Sequence, residues 1–277
     1  MDSKDIQEKI KEAIQRAKKI TPLAGSITNT VTINFVANAQ LAVGGSAAMV
    51  YLPDEAVSLA KCGNSMYINV GTLLPIYEET IPATLRTLHT LQKPWVLDPV
   101  AIGIGSLRTK LLLQCKDAKP SIIRGNASEI IALAGLWKLD GGQHDSKVRG
   151  VDSTDTVNAA KAAAKALAIW TGGAVAVSGS EDLITNGAQT LISYGGSPMM
   201  TCVTGSGCSL GGVMAVYAAV ADPFIAAATG AAIYNLAGKR AAGRAKGTGS
   251  FQQYFLDELY QATASDVSMN SFSVEEN

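Results

Sequence analysis

The sequence predicts an α/β fold: a doubly wound, mainly parallel sheet flanked by helices, with a helical C-terminal end. Short apolar segments of strand length alternate with segments of helical length through most of the chain, which is the pattern of βαβ units. The alanine-rich part from about residue 206 to residue 264 has a helical pattern throughout. The chain has 277 residues, of which 47% are hydrophobic. This is enough for one large core, so we expect a single domain over residues 1–277.

Charge and hydropathy exclude several classes of partner. Lys plus Arg and Asp plus Glu number 23 each, so no overall field attracts nucleic acid or an anionic membrane. Residues 183–238 carry one formal charge, Asp222, yet glycines and Pro198 interrupt the run and alanine dominates it. It therefore predicts buried helices rather than a membrane span. The expected partners are small molecules.

The cysteines and histidines give no metal-binding pattern. The four cysteines have no C-x-x-C spacing, and only two histidines accompany them, so we expect no zinc site. The charged first twenty residues form no signal peptide. We therefore expect reduced thiols and a cytoplasmic protein. The residues concerned are Cys62, Cys115, Cys202, Cys208, His89 and His144.

The first 49 residues predict a helix, a short strand and a second helix. Residues 1–20 place Ile6, Ile10, Ile14 and Ala17 on one apolar stripe among charges, which is typical of an amphipathic helix. Residues 21–49 then favour a strand followed by a helix that ends in a glycine-rich loop.

Three asparagines and a methionine in this part are candidates for a substrate site. Asn34 and Asn38 share a predicted helical face directed to the core, and Asn29 precedes them. Their amides either cap and cross-link the helix or lie at the rim of a substrate site. Met49 ends the loop and is either core filler or a ligand contact.

The remaining elements follow from periodicity and turn signals. Residues 135–151 predict a surface excursion, and the polar tail after residue 265 is expected to be frayed. The predicted helices cover residues 53–62, the segment up to residue 92, and residues 154–169. The predicted strands are 65–70, 94–100, 121–124 and 174–178, with a hairpin of 182–185 and 190–194.

Two charged clusters stand where predicted strands end. Because ligands bind at the carboxyl ends of parallel strands, Asp98 is well placed for chemistry. The segment Arg124-Gly125-Asn126-Ala127-Ser128-Glu129 offers a phosphate contact in Arg124 and a ligand for metal-bound water in Glu129. The alternative is a structural salt bridge plus a helix cap.

The segment from Thr201 to Gly212, T-C-V-T-G-S-G-C-S-L-G-G, predicts an anion cradle at a helix start. Gly205 and Gly207 let backbone N–H groups turn inward, and the helix dipole favours an anion there. The same field is expected to lower the pKa of Cys208, which could then accept a proton. The alternative is a helix start that needs small residues for packing. The segment fits neither the Rossmann nor the P-loop pattern.

Six blocks in order resemble the hydroxyethylthiazole kinase family, which is ribokinase-like. They are I-T-N at 27–29, N-F-V-A-N at 34–38, N-V-G-T-L at 69–73, D-P-V at 98–100, R-G-N-A-S-E at 124–129 and V-T-G-S-G-C at 203–208. The resemblance spans nearly the whole chain. It implies ATP-dependent phosphorylation of 4-methyl-5-(2-hydroxyethyl)thiazole with Mg²⁺ in thiamine salvage, by a homotrimer whose sites lie between subunits.

The resemblance also assigns roles to individual residues. Cys208 would be the catalytic base, and the backbone from Gly205 to Cys208 would surround the transferring phosphoryl group. The other implied roles are Met49, Gly205 and Asn29 for the thiazole, Arg124, Ser178 and Gly207 for ATP, and Asp98 and Glu129 for magnesium and its waters.

Three positions depart from the family pattern. Gly25 stands where a histidine is usual before S-I-T-N, Ala47 replaces a proline near Met49, and Thr248 replaces a proline in K-G-P-G-S-F. The first two border the expected thiazole pocket, so they bear on substrate choice rather than on the type of reaction.

Three other functions compete with this interpretation. One is a kinase for another small alcohol, such as hydroxymethylpyrimidine or a sugar, and another is a non-catalytic ligand-binding homologue. The third is acyl transfer with Cys208 as nucleophile, which requires a histidine base. The N-terminal block argues against the first, and the retained Asp98, Arg124, Glu129 and Cys208 argue against the second.

Overall fold

The computed structural model describes residues 1–143 and 156–276, and these form one sheet with helices on both faces. The order of its strands is β2-β1-β3-β4-β5-β6-β7-β8-β9. The strands are β1 (Leu23–Ile27), β2 (Ser46–Met49), β3 (Ser65–Asn69), β4 (Trp95–Asp98), β5 (Ile122–Asn126), β6 (Ala174–Ser178), β7 (Asp182–Thr185), β8 (Gln189–Ser193) and β9 (Phe272–Glu276).

All strand pairs from β2 to β6 are parallel, and the pairs from β6 to β9 are antiparallel. The helices are α1 (Ser3–Ile20), α2 (Ile33–Ala42), α3 (Pro53–Cys62), α4 (Tyr77–Leu91), α5 (Ser106–Asp117), α6 (Ala127–Leu136), α7 (Lys161–Thr171), α8 (Ser206–Ala218), α9 (Pro223–Ala242), α10 (Thr248–Gln261) and α11 (Ala264–Ser268), with a short 3₁₀ helix at Pro198–Cys202. The predicted doubly wound, mainly parallel sheet with a helical C-terminal end is therefore confirmed.

Two apolar layers cover the two faces of the sheet. One layer joins α1, α2, α8, α9 and α10, and the other joins α3 to α7. The predicted stripe of α1 lies in the first layer, where Ile6, Ile10, Ile14 and Ala17 are buried. The uncharged segment after residue 183 supplies α8 and α9, which are almost wholly buried. Among the described residues, no helix is long and apolar enough to span a membrane.

Several predicted elements differ from the structure. The segment with Met49 is a strand, β2, which pairs in parallel with β1, and not a loop. The tail is not frayed, because α11 is capped by Thr263 and β9 pairs with β8. Strands β2 and β9 are short edge strands that pair on one side only, so neither needs a long alternating apolar pattern that the sequence would reveal.

Helix α7 begins at Lys161, later than predicted, and most of the expected surface excursion at 135–151 lies outside the described residues. Asn34 and Asn38 are exposed, so the prediction that they face the core is wrong. The Asn38 Nδ2 donates to the backbone oxygen of Asn34 at 2.9 Å and to its Oδ1 at 3.0 Å. These two amides cross-link the helix internally.

Candidate active site

The last residues of the parallel strands lie at one edge of the sheet. Asn69 at the end of β3 pairs in register with Asp98 at the end of β4, and Asn126 at the end of β5 pairs with Ser178 at the end of β6. Asn29 follows β1 by two residues. Parallel pairing thus brings together predicted site residues that are far apart in sequence.

Asp98 is fully buried and surrounded by donors. Its Oδ2 accepts hydrogen bonds from the Tyr67 hydroxyl at 2.9 Å, Asn69 Nδ2 at 3.1 Å and Arg124 Nη1 at 3.3 Å. Its Oδ1 accepts from the Val100 amide at 3.2 Å. A carboxylate removed from water requires such compensation.

Arg124 is 7% exposed and forms an ion pair with Asp98. Its Nη2 donates to Ser178 Oγ at 3.2 Å, so two predicted ATP contacts touch each other. Burial lowers the pKa of Arg124, but the negative charges of Asp98 and Glu129 outweigh it and the net direction is upward. The guanidinium is therefore a permanent cation at this edge.

Glu129 lies in the first turn of α6, where it completes a capping box with Asn126. Its Oε2 accepts from the Asn126 amide at 2.8 Å, and its Oε1 accepts from the Ala101 amide at 3.3 Å. Burial, together with the charge of Asp98, raises the pKa of Glu129 to about 7. The salt bridge and helix cap of the structural interpretation both exist, and they lie within the predicted site.

The cradle segment forms the start of α8, with Gly205 as its N-cap. Gly205 has φ +91°, a left-handed conformation that favours glycine. Within the described residues, no side chain caps this helix terminus. A Cβ on Gly207 would lie 2.7 Å from Arg124 Nη2. The positive end of α8 and the guanidinium thus adjoin each other, an arrangement suited to phosphate.

Cys208 lies in the first turn of α8, and Asn29 Nδ2 donates to its Sγ at 3.4 Å. The expected lowering of its pKa is wrong. Burial, and secondarily the charge of Asp98, raise the pKa of Cys208, while Arg124 and the side chains of Asn69 and Thr32 lower it only in part. Desolvation disfavours the thiolate more than the nearby cation favours it.

Histidine support for a nucleophilic cysteine is not found in the described residues. His89 is exposed in the last turn of α4, which leads into the amino end of β4 and hence the opposite edge of the sheet. His144 lies outside the described residues. The geometry therefore gives no support to acyl transfer through Cys208.

Met49 lies at the end of β2, in register with Ser26 of β1. It is half-buried and packs against the apolar layer that contains α8. Gly25, one of the departures from the family pattern, has a physical cause. A Cβ there would lie 2.4 Å from Met66 Sδ and 2.6 Å from Leu59 Cδ2, so a larger residue at this position requires these two side chains to move.

Sequence reasoning missed Tyr67 and Asn69, which contact Asp98 directly. Asn69 opens the N-V-G-T-L block, so its position was available, but a lone amide at a strand end gives no chemical signal. Tyr67 is fully buried in the middle of β3, and its sequence context predicts only a core residue. Only the register between β3 and β4 shows that both side chains contact Asp98.

The donor set fits a magnesium ion. Asp98 and Glu129 supply carboxylate oxygens, and no group of three or more His, Cys, Asp or Glu side chains suited to a metal occurs among the described residues. Magnesium retains several waters and needs only one or two protein carboxylates. Thr28 Oγ1 and Arg124 Nε are buried without a hydrogen-bond partner in the described part of the chain, which fits a site that receives polar ligands.

The fold is that of known small-molecule kinases. The structure matches hydroxyethylthiazole kinase from Pyrococcus horikoshii with a TM-score of 0.83, 29% identity and coverage of 97% and 98% of the two chains. It also shares its fold with a ribokinase-like protein of Enterococcus faecalis, with a TM-score of 0.61, 13% identity and coverage of 95% and 96%.

The profile of the Hydroxyethylthiazole kinase family matches residues 14–265. Hydroxyethylthiazole kinase of Bifidobacterium longum is 48% identical, with 98% of this chain and 92% of the relative covered. The chain belongs to the hydroxyethylthiazole kinase family.

Proposed function

We propose that the protein transfers the γ-phosphoryl group of ATP to the hydroxyl of 4-methyl-5-(2-hydroxyethyl)thiazole in cytoplasmic thiamine salvage. The observation that carries this proposal is the position of Arg124, which contacts Asp98 and Ser178 and adjoins the first turn of α8. Family membership supports the choice of substrate.

Phosphoryl transfer depends mainly on positioning and on stabilisation of negative charge. Arg124 and Ser178 bind the nucleotide phosphates, and the amides from Gly205 to Cys208 surround the transferring group. Asn29, Met49 and the Gly205 backbone hold the thiazole alcohol near the Cys208 thiol. The Cys208 thiolate accepts the hydroxyl proton as the alcohol oxygen attacks the γ-phosphorus of ATP, the bond to the bridging oxygen breaks and ADP leaves.

Asp98 and Glu129 would hold magnesium and its waters, and the ion would supply positive charge against the phosphates. Both oxygens of Asp98 already accept hydrogen bonds within the protein. Each Glu129 oxygen accepts one hydrogen bond and keeps acceptor capacity for a water. The two carboxylates therefore suit contact through metal-bound water.

We also propose a homotrimer with sites between subunits. Four apolar side chains are exposed in loops that follow parallel strands, at the same edge as the site, and a subunit contact would bury them. They are Val31 at 66% exposed, Leu52 at 48%, Leu74 at 37% and Ile104 at 48%.

The proposed reaction is tested by ATP consumption with purified protein and Mg²⁺, using the thiazole alcohol, hydroxymethylpyrimidine and ribose as acceptors. Turnover of the thiazole alcohol is expected, with loss of activity on removal of Mg²⁺. Asp98→Asn provides the site control and should abolish turnover. Phosphorylation of the pyrimidine alcohol or ribose with the thiazole alcohol untouched would contradict the substrate assignment.

A further inference from the structure

Asn69 is a fully buried amide whose hydrogen-bonding capacity is completely used. Its Nδ2 donates to the Tyr67 hydroxyl at 2.9 Å and to Asp98 Oδ2 at 3.1 Å. Its Oδ1 accepts from Asn29 Nδ2 at 3.1 Å and from the Gly71 amide at 2.9 Å. With two donors and two acceptors engaged, the amide has one orientation.

Asn29 continues this chain of contacts to the thiol. Its Oδ1 accepts from the Thr32 amide at 3.1 Å, which directs its Nδ2 to the other side. That Nδ2 donates both to Asn69 Oδ1 and to Cys208 Sγ. A continuous series of hydrogen bonds thus runs from Asp98 through Asn69 and Asn29 to Cys208.

The backbone next to Asn69 holds this geometry. A Cβ on Gly71 would lie 2.9 Å from Asn69 Oδ1 and 3.0 Å from Asn29 Nδ2, so the close approach of the two amides requires glycine. Arg108, a buried residue of α5, donates through Nε to the Val70 oxygen at 2.8 Å and through Nη2 to the Gly71 oxygen. The segment after β3 is therefore fixed from both sides.

We propose that Asn69 is a positioning residue that fixes the Cys208 thiol relative to the Asp98 carboxylate, acting through Asn29. The proposal rests on the proposed function, in which Asp98 serves the metal and Cys208 receives the proton. An N–H directed at the sulfur stabilises the thiolate that accepts the proton, in a buried site that otherwise disfavours this charged form. Phosphoryl transfer is sensitive to such positioning because displacements of about 1 Å can lower the rate about 10²-fold.

The test compares Asn69→Ala in the wild-type and Cys208→Ala backgrounds. In the wild-type background, kcat should fall about 10- to 100-fold, with KM for ATP and for the thiazole alcohol changed less than about threefold. In the Cys208→Ala background, the further loss should be less than about threefold, since the group on which Asn69 acts is absent. Equal losses in both backgrounds would overturn the proposal.

Asn64→Ala is the matched control. Asn64 precedes the amino end of β3, is exposed, and its Oδ1 accepts from the Leu23 amide at 2.9 Å. It therefore loses a side-chain hydrogen bond on the same strand at the opposite edge of the sheet. Its kcat should remain within about twofold of wild type.

A second measurement does not depend on turnover. Alkylation of Cys208 by iodoacetamide is followed by peptide mass spectrometry as a function of pH, without nucleotide. The pH midpoint of Cys208 alkylation should move upward by about one unit in Asn69→Ala. The same change is expected in Asn29→Ala, because Asn29, in the loop after β1, makes the last hydrogen bond of this series to Cys208 Sγ. An unchanged midpoint in folded variants would refute the positioning role. A wrong substrate assignment would leave this result unaffected.

Discussion

Asp98 and Arg124 form an ion pair in which each buried charge is compensated by the other. The two side chains are 0% and 9% exposed, and Arg124 Nη1 lies 3.3 Å from Asp98 Oδ2. Removal of either partner from such a pair leaves an uncompensated buried charge, which costs about 3–5 kcal/mol. The ion pair is thus structural, and a structural salt bridge is compatible with the proposed roles of the same two side chains toward phosphate and metal.

Cys208 has two separable tasks in the proposed reaction, because its thiolate accepts a proton while its backbone belongs to the phosphoryl cradle. Cys208→Ala removes only the proton acceptor and should lower kcat about 10²–10⁴-fold, with ligand dissociation constants little changed. Cys208→Asp supplies a carboxylate acceptor and should retain activity. Both variants are assayed at saturating ATP and thiazole alcohol, with binding measured by calorimetry.

An inactive Asp variant that still binds both ligands would contradict proton acceptance at this position. A covalent nucleophile would give the same result, and a trapped intermediate would then protect Cys208 from alkylation. The raised pKa keeps most of Cys208 protonated at neutral pH, so only the fraction present as thiolate accepts the proton.

At the scale of elements, α8 approaches the sheet through small residues on one face. Gly207 adjoins Arg124, and Gly211, one turn later, adjoins the ring of Tyr67. A Cβ on Gly211 would lie 2.4 Å from Tyr67 Cε2, a distance that real Cβ atoms essentially never show. Tyr67 is fully buried and donates to Asp98, so neither ring nor helix can move without cost.

Gly211→Ala is therefore expected to lower the free energy of unfolding by about 1–2 kcal/mol. Overpacking costs about 1–3 kcal/mol and exceeds the gain in helix propensity of about 1 kcal/mol. Urea denaturation measures the change, and kcat should fall because the Tyr67 hydroxyl moves relative to Asp98. A variant as stable and as active as wild type would contradict this account of the helix–sheet contact.

The matched control for this prediction is Gly249→Ala. Gly249 lies in the first turn of α10, and a Cβ there would meet nothing within 4 Å. The same chemical change should stabilise the protein by about 0.5 kcal/mol, mainly by restricting the unfolded chain.

At the scale of the whole molecule, buried carboxyls give stability a pH dependence. Asp182 is 8% exposed and accepts from the Gly179 amide at 3.2 Å and from Asn235 Nδ2 at 3.0 Å. Burial nevertheless raises the pKa of Asp182 from 3.8 to about 6. The folded state then holds the proton more tightly than the unfolded state. The stabilisation of the folded state that comes from protonated Asp182 is therefore present in full below about pH 4 and is lost as the pH rises through about 6.

Asp182→Asn should remove this contribution. Relative to wild type, the variant should gain about 2 kcal/mol of unfolding free energy between pH 4 and pH 7, since one pKa unit corresponds to about 1.4 kcal/mol and this range covers most of the shift. Urea denaturation at both pH values measures the gain, and the exposed Asp54→Asn serves as control. A constant difference between variant and wild type across this range would contradict the burial argument.

The proposed assembly is tested by light scattering on the active protein. A mass three times that of the 28.7 kDa chain is expected. Val31→Lys should reduce the mass and the activity together, because a buried lysine at a subunit contact is costly. Ile169→Lys is the matched control: Ile169 is 70% exposed and precedes the amino end of β6, away from the site edge. An active monomer would contradict both the trimer and a site shared between subunits.

The sequence by itself determined the interior of the fold. Strands such as β3 and β6 have short apolar runs in their centres, and the stripe of α1 has helical spacing, so period and length identify them. The edge strands β2 and β9 were not predicted, because they pair on one side only and need little apolar character. The six ordered blocks indicated the family because those residues stand at strand ends and helix starts, where the chemistry is placed.

Only the tertiary structure decided how the site residues act on one another. Asp98 and Glu129 were recognisable as carboxylates at element ends, but their burial and donors depend on strand register. The direction of the Cys208 pKa shift was predicted wrongly, since a helix terminus is visible in sequence and desolvation is not. Asn69 and Tyr67 gained their roles from parallel pairing alone. A sequence encodes local periodicity and residue chemistry, whereas pKa values and contacts arise from distances between segments far apart in the chain.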